Sequence, residues 1–382
     1  MKKHCLLLAI FAATALRLVG QSLSDSARIS LMTVAPGEEV YSIFGHSALR
    51  VFDPANGYDR CYNYGTFEFE QPNFLLKFCR GKLLYYLNVE PTRAFERGNL
   101  YERRAMQEQL LNLQPAEKQR LFQLLQENAR EENRYYKYDF FYDNCATRIR
   151  DIVKEAHFHQ INFDTAGLEK GRTMRQLLRP YLEKHPWTQF GIDLVLGLPA
   201  DRRASAQDWM FLPDHLHDLF ARANFDGAPL VQAEREMPEG GFPPREIRKS
   251  DPVDGFLGSP FWVMCFVAVI GLLSMANPRT ARIFDAIFWF VLGLVGLVMT
   301  LLWFATDHSA TKSNLNILWA LPTHLLFFWR SRHRSELTDN YFMGTAILTA
   351  LALLFWKFLP QEMPFAAVPL ALLVVVKGLK RS

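Results

Sequence analysis

Tyr138-Asp139-Phe140-Phe141-Tyr142-Asp143-Asn144-Cys145-Ala146-Thr147-Arg148 is the stretch on which the reading turns. Asp143-Asn144 stands where a helix cap belongs, and Cys145 to Ala156 follows as the helix. That puts the cysteine in the first turn, where the partial positive charge of a helix N-terminus stabilises a thiolate. About a hundred residues earlier lies Phe44-Gly45-His46-Ser47-Ala48-Leu49-Arg50, a histidine at a strand entrance marked by glycine. A thiolate held by an imidazole is the minimum apparatus for acyl transfer through a thioester. Each residue also has a bland reading: a small buried cysteine is often packing, and a histidine beside glycine is often a turn residue.

Outward from these two stretches, residues 28 to 151 read as α+β. Val40–Phe44 and Ser47–Phe52 are short β-prone runs, and Asn56-Gly57 marks a turn into Cys61-Tyr62-Asn63-Tyr64-Gly65-Thr66-Phe67. Lys82 to Val89 suggests another strand, whereas Pro91 to Leu113 carries no clear period. Pro115 sits at a helix start, and Ala116 to Glu132 spaces its apolar residues by three and four. Residues 165 to 225 read as helices over Thr173–Glu183, Thr188–Leu196 and Leu212–Ala223. The expected organisation is an exported segment over 1–20, an α+β domain over 21–165, a helical extension over 166–227, a linker over 228–260 and an apolar tail over 261–382.

The two halves differ sharply. Mean hydropathy is close to zero, yet charge crowds the first 250 positions and apolar runs dominate from Phe256. Five apolar segments follow, about Phe261–Ala276, Ile283–Ala305, Leu315–Trp329, Tyr341–Leu359 and Phe365–Val376. Several fall short of the roughly 20 residues that a span needs, so flanking residues must contribute. Basic residues gather on alternate connections: Arg279 and Arg282, then Arg330, Arg332 and Arg334, then Lys377, Lys380 and Arg381. The connections between them, Thr306 to Lys312 and Pro360 to Pro364, are poor in them. The positive-inside rule then predicts five spans, an exterior first domain and a cytoplasmic C-terminus. Met1-Lys2-Lys3-His4 ahead of the apolar run Cys5 to Leu16 reads as a secretory signal.

With 382 residues and a formal charge of only +4, the chain has no basic stripe for nucleic acid. Of its cysteines, Cys5 falls in the signal and Cys265 in a span, leaving Cys61, Cys79 and Cys145 outside. A Cys61–Cys79 bridge would leave Cys145 as the free thiol in an oxidising space. The expectation is no cofactor and no metal.

The phrases GHSALRV and, a hundred residues on, DNCATRIRD resemble the circularly permuted branch of the NlpC/P60 papain-like superfamily, which includes the lecithin–retinol acyltransferases. YSIFGHSALRV, YNYGTFEF, YDFFYDNCATRIRD, WMFLP and TDHSATKSNLNILWALP together are closer still to the Lnb-type lipoprotein N-acyltransferases. That resemblance covers most of the chain, including the tail. It implies a permuted papain-like exterior domain on an all-α, five-span bundle, in the cytoplasmic membrane. Cys145 would be the nucleophile and His46 the base. A papain-like site also needs a polar group on the next strand to orient the imidazole. Asn63, Tyr64 and Thr66 are the candidates, and alternation puts Tyr64 and Thr66 on one face. The Cys145 N–H would be the first oxyanion donor, helped by Tyr138 or Asn144.

Asp307 and His308 lie at the outer mouth between the second and third spans, where His308 could touch a phospholipid headgroup or ester. An interfacial loop residue is the plainer alternative. Arg148 and Arg150 could meet phosphate, or simply pair with Asp143 and Asp151. The implied reaction moves an acyl chain from a membrane phospholipid, through a Cys145 thioester, to the α-amine of a diacylated lipoprotein. A cell-wall peptidase with the same Cys–His pair, and a non-enzymatic membrane assembly factor, are the rival readings.

Overall fold

The computed structural model describes residues 22–68, 70–237, 258–332 and 335–380. The expected signal, and the Pro- and Gly-rich stretch 238–257, lie outside the described residues.

Seven strands form one antiparallel sheet. β1 (Arg28–Val34), β2 (His46–Asp53) and β3 (Tyr58–Thr66) make its centre, with β4 (Leu84–Pro91), β5 (Met106–Leu111) and β6 (Tyr135–Lys137) outside them. A two-residue hairpin, β7 (Asn224–Phe225) and β8 (Ala228–Pro229), leads into β9 (Val231–Met237), and the spatial order is β6-β4-β3-β2-β1-β5-β9. β9 pairs with β5, so the sheet draws on part of the stretch that composition reads as linker. Val40–Phe44 forms turns instead of a strand. The stretch without a clear period resolves into a helix, Thr92–Tyr101, and β5.

Both faces of the sheet are covered, and each strand's alternation decides which side chain goes where. Leu31, Leu49, Val51, Tyr62 and Tyr64 face a core shared with the helices Pro115–Asn128, Cys145–Ala156 and Pro213–Ala221. On the other face, Met32, Ala48, Cys61 and Met106 pack against Phe95 of the Thr92–Tyr101 helix. Cys61 is therefore wholly buried, while Cys79 is exposed at the end of the short helix Phe74–Cys79. Both are free thiols, so the expected Cys61–Cys79 bridge is not made.

In the tail, Pro278–Phe304 and Glu336–Leu354 are long and apolar enough to cross a membrane by themselves, with Pro260–Ser274 and Phe365–Leu379 shorter. The third expected span, Leu315–Trp329, is not a continuous helix. It runs as a 3₁₀ turn over Leu315–Leu318, a single turn over His324–Phe327 and another 3₁₀ turn over Arg330–Arg332. Glycines on its partner accommodate it: a Cβ at Gly296 would meet the Ala320 oxygen at 2.1 Å, and one at Gly293 the Leu325 nitrogen at 2.8 Å. Irregular backbone is tolerated at membrane depth where protein buries it, and Pro322 denies this segment a regular helix.

The two parts are closely docked. Gly197 donates to the Ala310 carbonyl at 2.9 Å, Asn314 to Leu194 O at 2.7 Å, and Gln361 to Leu196 O at 3.3 Å. Arg175, 2% exposed, braces this side by a bidentate bond to Asp201.

Candidate active site

Cys145 opens its helix as the capping signal predicts. Asn144 Oδ1 accepts from the Ala146 and Thr147 amides at 2.9 Å each, and Thr147 Oγ1 accepts from the Asn144 N–H at 2.8 Å. This reciprocal cap, with Ile149, Ile152, Val153 and Ala156 buried along one face, fixes the first turn against the sheet. The Asn144 amide nitrogen donates to the Phe140 and Phe211 carbonyls, both at 2.8 Å. Asn144 is thus committed to holding the turn, and its amide is not available as an oxyanion donor.

His46 is the first residue of β2, after Gly45 at φ 78°. A positive φ is costly for any residue with a Cβ, and a Cβ there would also come within 3.0 Å of the Val34 oxygen. The His46 Nε2 lies 2.6 Å from Asn63 Oδ1, which leaves Nδ1 for the thiol. Burial pushes the Cys145 thiol up, but the His46 charge and hydrogen bond, with the Ser47 and Ala146 amides, bring it below its ordinary value. Burial likewise pulls the imidazole down, and the thiolate together with Asn63 raises it above its ordinary value. Each group thus favours the charged form of the other, with Cys145 6% exposed and His46 half-buried at the edge of a cleft.

Asn63 continues inward: its amide nitrogen lies 3.3 Å from Glu90 Oε1, as does that of Asn88. Neither Tyr64 nor Thr66 bonds the imidazole, although Thr66 stands in the same cleft wall. Tyr64 is buried in the core and accepts from Asn128 at 2.8 Å, and Thr66 donates to the Asn63 carbonyl at 3.3 Å. The register between β3 and β4 shifts between Asn63 and Thr66, at a bulge where Gly65 takes φ 86°. Strand alternation puts Asn63 on the face of Cys61 and Ala48, and it is this face whose end carries His46.

Tyr138 forms a wall of the site. A Cβ on Gly65 would stand 3.5 Å from the Tyr138 ring and 3.6 Å from the Cys145 Cβ. Tyr138 stacks on Tyr85 with centroids 4.3 Å apart, and burial first, then the Cys145 charge, holds its hydroxyl well above the ordinary phenol value. It stays protonated, as a donor must. Tyr136, also close to Gly65, has a buried hydroxyl without a hydrogen-bond partner among the described residues. Tyr136 lies two residues before Tyr138 and so on the same side of an extended segment, the one sequence signal that could have pointed to it.

Other expected contacts fall away from the pair. Arg148 makes a bidentate ion pair with Asp143, at 2.5 and 2.8 Å, and lies 3.5 Å over the Tyr136 ring. Arg150 pairs with Asp151 at 2.7 Å. These are the plainer readings of both arginines. Asp307 pairs with Lys137 at 3.1 Å, and His308 Nε2 donates to the Phe78 carbonyl at 2.9 Å. His308 thus pins an exterior loop to the tail.

On the far side of Tyr138 lies an apolar cavity of about 230 Å³, lined by Phe44, Tyr138, Phe140, Leu178 and Ile192 and by the tail's Asp307–Thr311 loop. An open cleft of about 380 Å³ lies on the His46–Asn63 side, with Glu90, Glu102 and Arg104 in its wall.

An antiparallel-sheet domain that brings Cys145 and His46 together is docked on a tail of apolar helices, two of them long enough to cross a membrane. The chain belongs to the Lnb family: residues 19–179 match the Lnb N-terminal periplasmic domain and residues 256–381 the Lnb transmembrane domain. The sheet domain is accordingly periplasmic and the tail transmembrane. No curated protein and no solved structure matches the chain.

Proposed function

We propose that this protein is a lipoprotein N-acyltransferase with Cys145 as nucleophile and His46 as general acid and base. The observation that carries this reading is the apolar cavity lined both by Tyr138, the neighbour of Cys145 across Gly65, and by the Asp307–Thr311 loop of the transmembrane tail. A cell-wall peptidase has hydrophilic substrates and no use for such a cavity. An acyl chain arriving from the membrane does.

The Cys145 thiolate attacks an ester carbonyl of a phospholipid. The resulting oxyanion takes hydrogen bonds from the N–H of Cys145, unused within the helix at its first position, and from the Tyr138 hydroxyl. As the C–O bond breaks, the His46 imidazolium gives its proton to the departing lysophospholipid oxygen, leaving a thioester and a neutral imidazole. The α-amine of a diacylglyceryl-cysteine lipoprotein then attacks the thioester carbonyl. His46 takes the amine proton, the amide forms, and Cys145 leaves as thiolate. Asn63, backed by Glu90, keeps the imidazole in the tautomer and plane both halves require. Burial limits the competing hydrolysis of the thioester. In this reading the tail crosses the cytoplasmic membrane five times, the third time as the broken segment, and ends in the cytoplasm.

Mass spectrometry of lipoprotein N-termini tests the reading. Cells with Cys145→Ser or His46→Ala should accumulate diacylated lipoproteins with a free amine, at normal levels of the protein. The double variant should be scarcely worse than either single one, because the two groups act as a unit. Wild-type N-acylation by Cys145→Ser would remove the thioester mechanism.

A further inference from the structure

Between β3 and β4 the chain leaves the sheet and makes the six-residue helix Phe74–Cys79, none of whose residues is buried. Leu75 is 70% exposed, Leu76 57% and Phe78 47%. Three large apolar side chains on so short a helix have no interior to serve, because the core on either side of the sheet is complete without them. Clustered exposed apolar surface marks a surface meant to be covered.

What covers it follows from where the helix is tied. Asp307 donates its amide to the Arg80 carbonyl at 2.9 Å, and His308 donates to the Phe78 carbonyl. At Gly81, with φ 66°, a Cβ would come within 3.0 Å of the His308 nitrogen, so the two backbones touch. Asp307 stands three residues past Phe304, the last residue of the 27-residue transmembrane helix Pro278–Phe304, and Phe304 is itself 73% exposed. The end of that helix which meets the periplasmic domain lies at the periplasmic face of the membrane. The Phe74–Cys79 helix is held at this same level, with Arg80 and Lys82 exposed beside it.

We propose that Phe74–Cys79 is a membrane finger, inserted by Leu75, Leu76 and Phe78 into the periplasmic leaflet next to the Pro278–Phe304 helix. Its apolar side chains would lie at the boundary of headgroups and acyl chains, with Arg80 and Lys82 at the phosphates, the arrangement of an interfacial helix. The finger is continuous with the site. The strand that enters it carries Asn63, Gly65 and Thr66 of the cleft wall, and Gly81, which leaves it, lines the apolar cavity. Its insertion would hold the mouth of that cavity at the depth where lipid esters sit. This goes beyond the acyltransferase reading and requires only that the tail is transmembrane.

Cys79 provides the probe. It is exposed, whereas Cys61 is fully buried. The full-length protein carrying Cys5→Ser, Cys145→Ser and Cys265→Ser would be labelled at Cys79 with a nitrobenzoxadiazole fluorophore. It would then be placed in nanodiscs of phosphatidylcholine and phosphatidylglycerol. Insertion predicts blue-shifted emission, quenching by lipids brominated on their acyl chains, and protection from aqueous iodide. The same label at Tyr101→Cys (with Cys79→Ser), a site 91% exposed on another helix, should be quenched by iodide and not by bromolipid. His308→Ala should move the Cys79 label toward iodide access, by freeing the Phe78 carbonyl. Water-like emission at Cys79 with iodide quenching and no bromolipid effect would overturn the finger. The readout is depth and needs no turnover, so it stands or falls apart from the acyltransferase reading.

Discussion

His46 Nε2 and Asn63 Oδ1 meet at 2.6 Å across adjacent strands, 17 residues apart in the chain. A bond to an imidazolium is worth roughly 1.5–3 kcal/mol. Asn63→Ala should therefore lower the rate of N-acylation about 10- to 100-fold while the protein still folds. Tyr64→Phe removes only the hydroxyl that accepts from Asn128. It should cost about 1 kcal/mol of stability and leave the rate nearly unchanged. Rates on reconstituted donor and acceptor, with thermal melts of both variants, separate the two. The reverse ranking would return the orienting role to Tyr64.

The mutual influence of Cys145 and His46 sets a pH dependence. Cys145 titrates below the ordinary thiol value of 9.0 and His46 above the ordinary imidazole value of 6.5. The thiolate is lost as pH falls through the folded value of Cys145, and the support of the imidazolium charge is lost as pH rises through that of His46. Alkylation of Cys145 by iodoacetamide should accordingly be fast at neutral pH. In His46→Ala, burial is left as the leading influence, so the thiol should titrate above 9.0 and lose its reactivity at pH 7. An unchanged alkylation profile in that variant would show that the histidine does not hold the thiolate.

Docking of the periplasmic domain on the tail depends on Gly197. A Cβ there would overlap the Lys312 oxygen at 1.9 Å and its carbonyl carbon at 2.8 Å, and neither is the movable end of a side chain. Gly197→Ala should therefore cost about 1–3 kcal/mol, as overpacking does, and should fall on the docked state. Limited proteolysis should cut the Thr306–Lys312 connection sooner than in the wild type. Equal proteolytic and thermal profiles would mean that the two parts are held by other contacts.

Topology has its own test. Lys377 is buried against Asp285 at 2.5 Å, so the end of the last helix lies at the start of Pro278–Phe304, opposite the end that meets the periplasmic domain. A reporter fused after Ser382 should report from the cytoplasm, and a tag inserted at Ser309 should be reachable from the periplasm. Exterior labelling of the C-terminus would remove the five-crossing arrangement.

The helix start at Cys145 and the glycine-led strand at His46 could be read from the chain because their signals are local, while their pairing was implied by the family resemblance. A cap followed by a helix needs only neighbouring residues, and a glycine before a strand is a neighbouring residue too. The alternation of basic connections in the tail is equally a property of the linear chain. Asn63 could not be chosen from sequence, because which face of β3 meets the imidazole depends on the register with β2 and on the bulge at Gly65. Arg148 and His308 have side chains suited to phosphate and ester, yet one is taken up by Asp143 and the other by the Phe78 carbonyl. The broken third segment is accommodated by Gly296 and Gly293, which approach Ala320 and Leu325 from the preceding helix. Residue types and local spacing determined what chemistry this chain could hold. Which side chains share it was decided by register and by close backbone approach, both of which exist only once distant segments have packed.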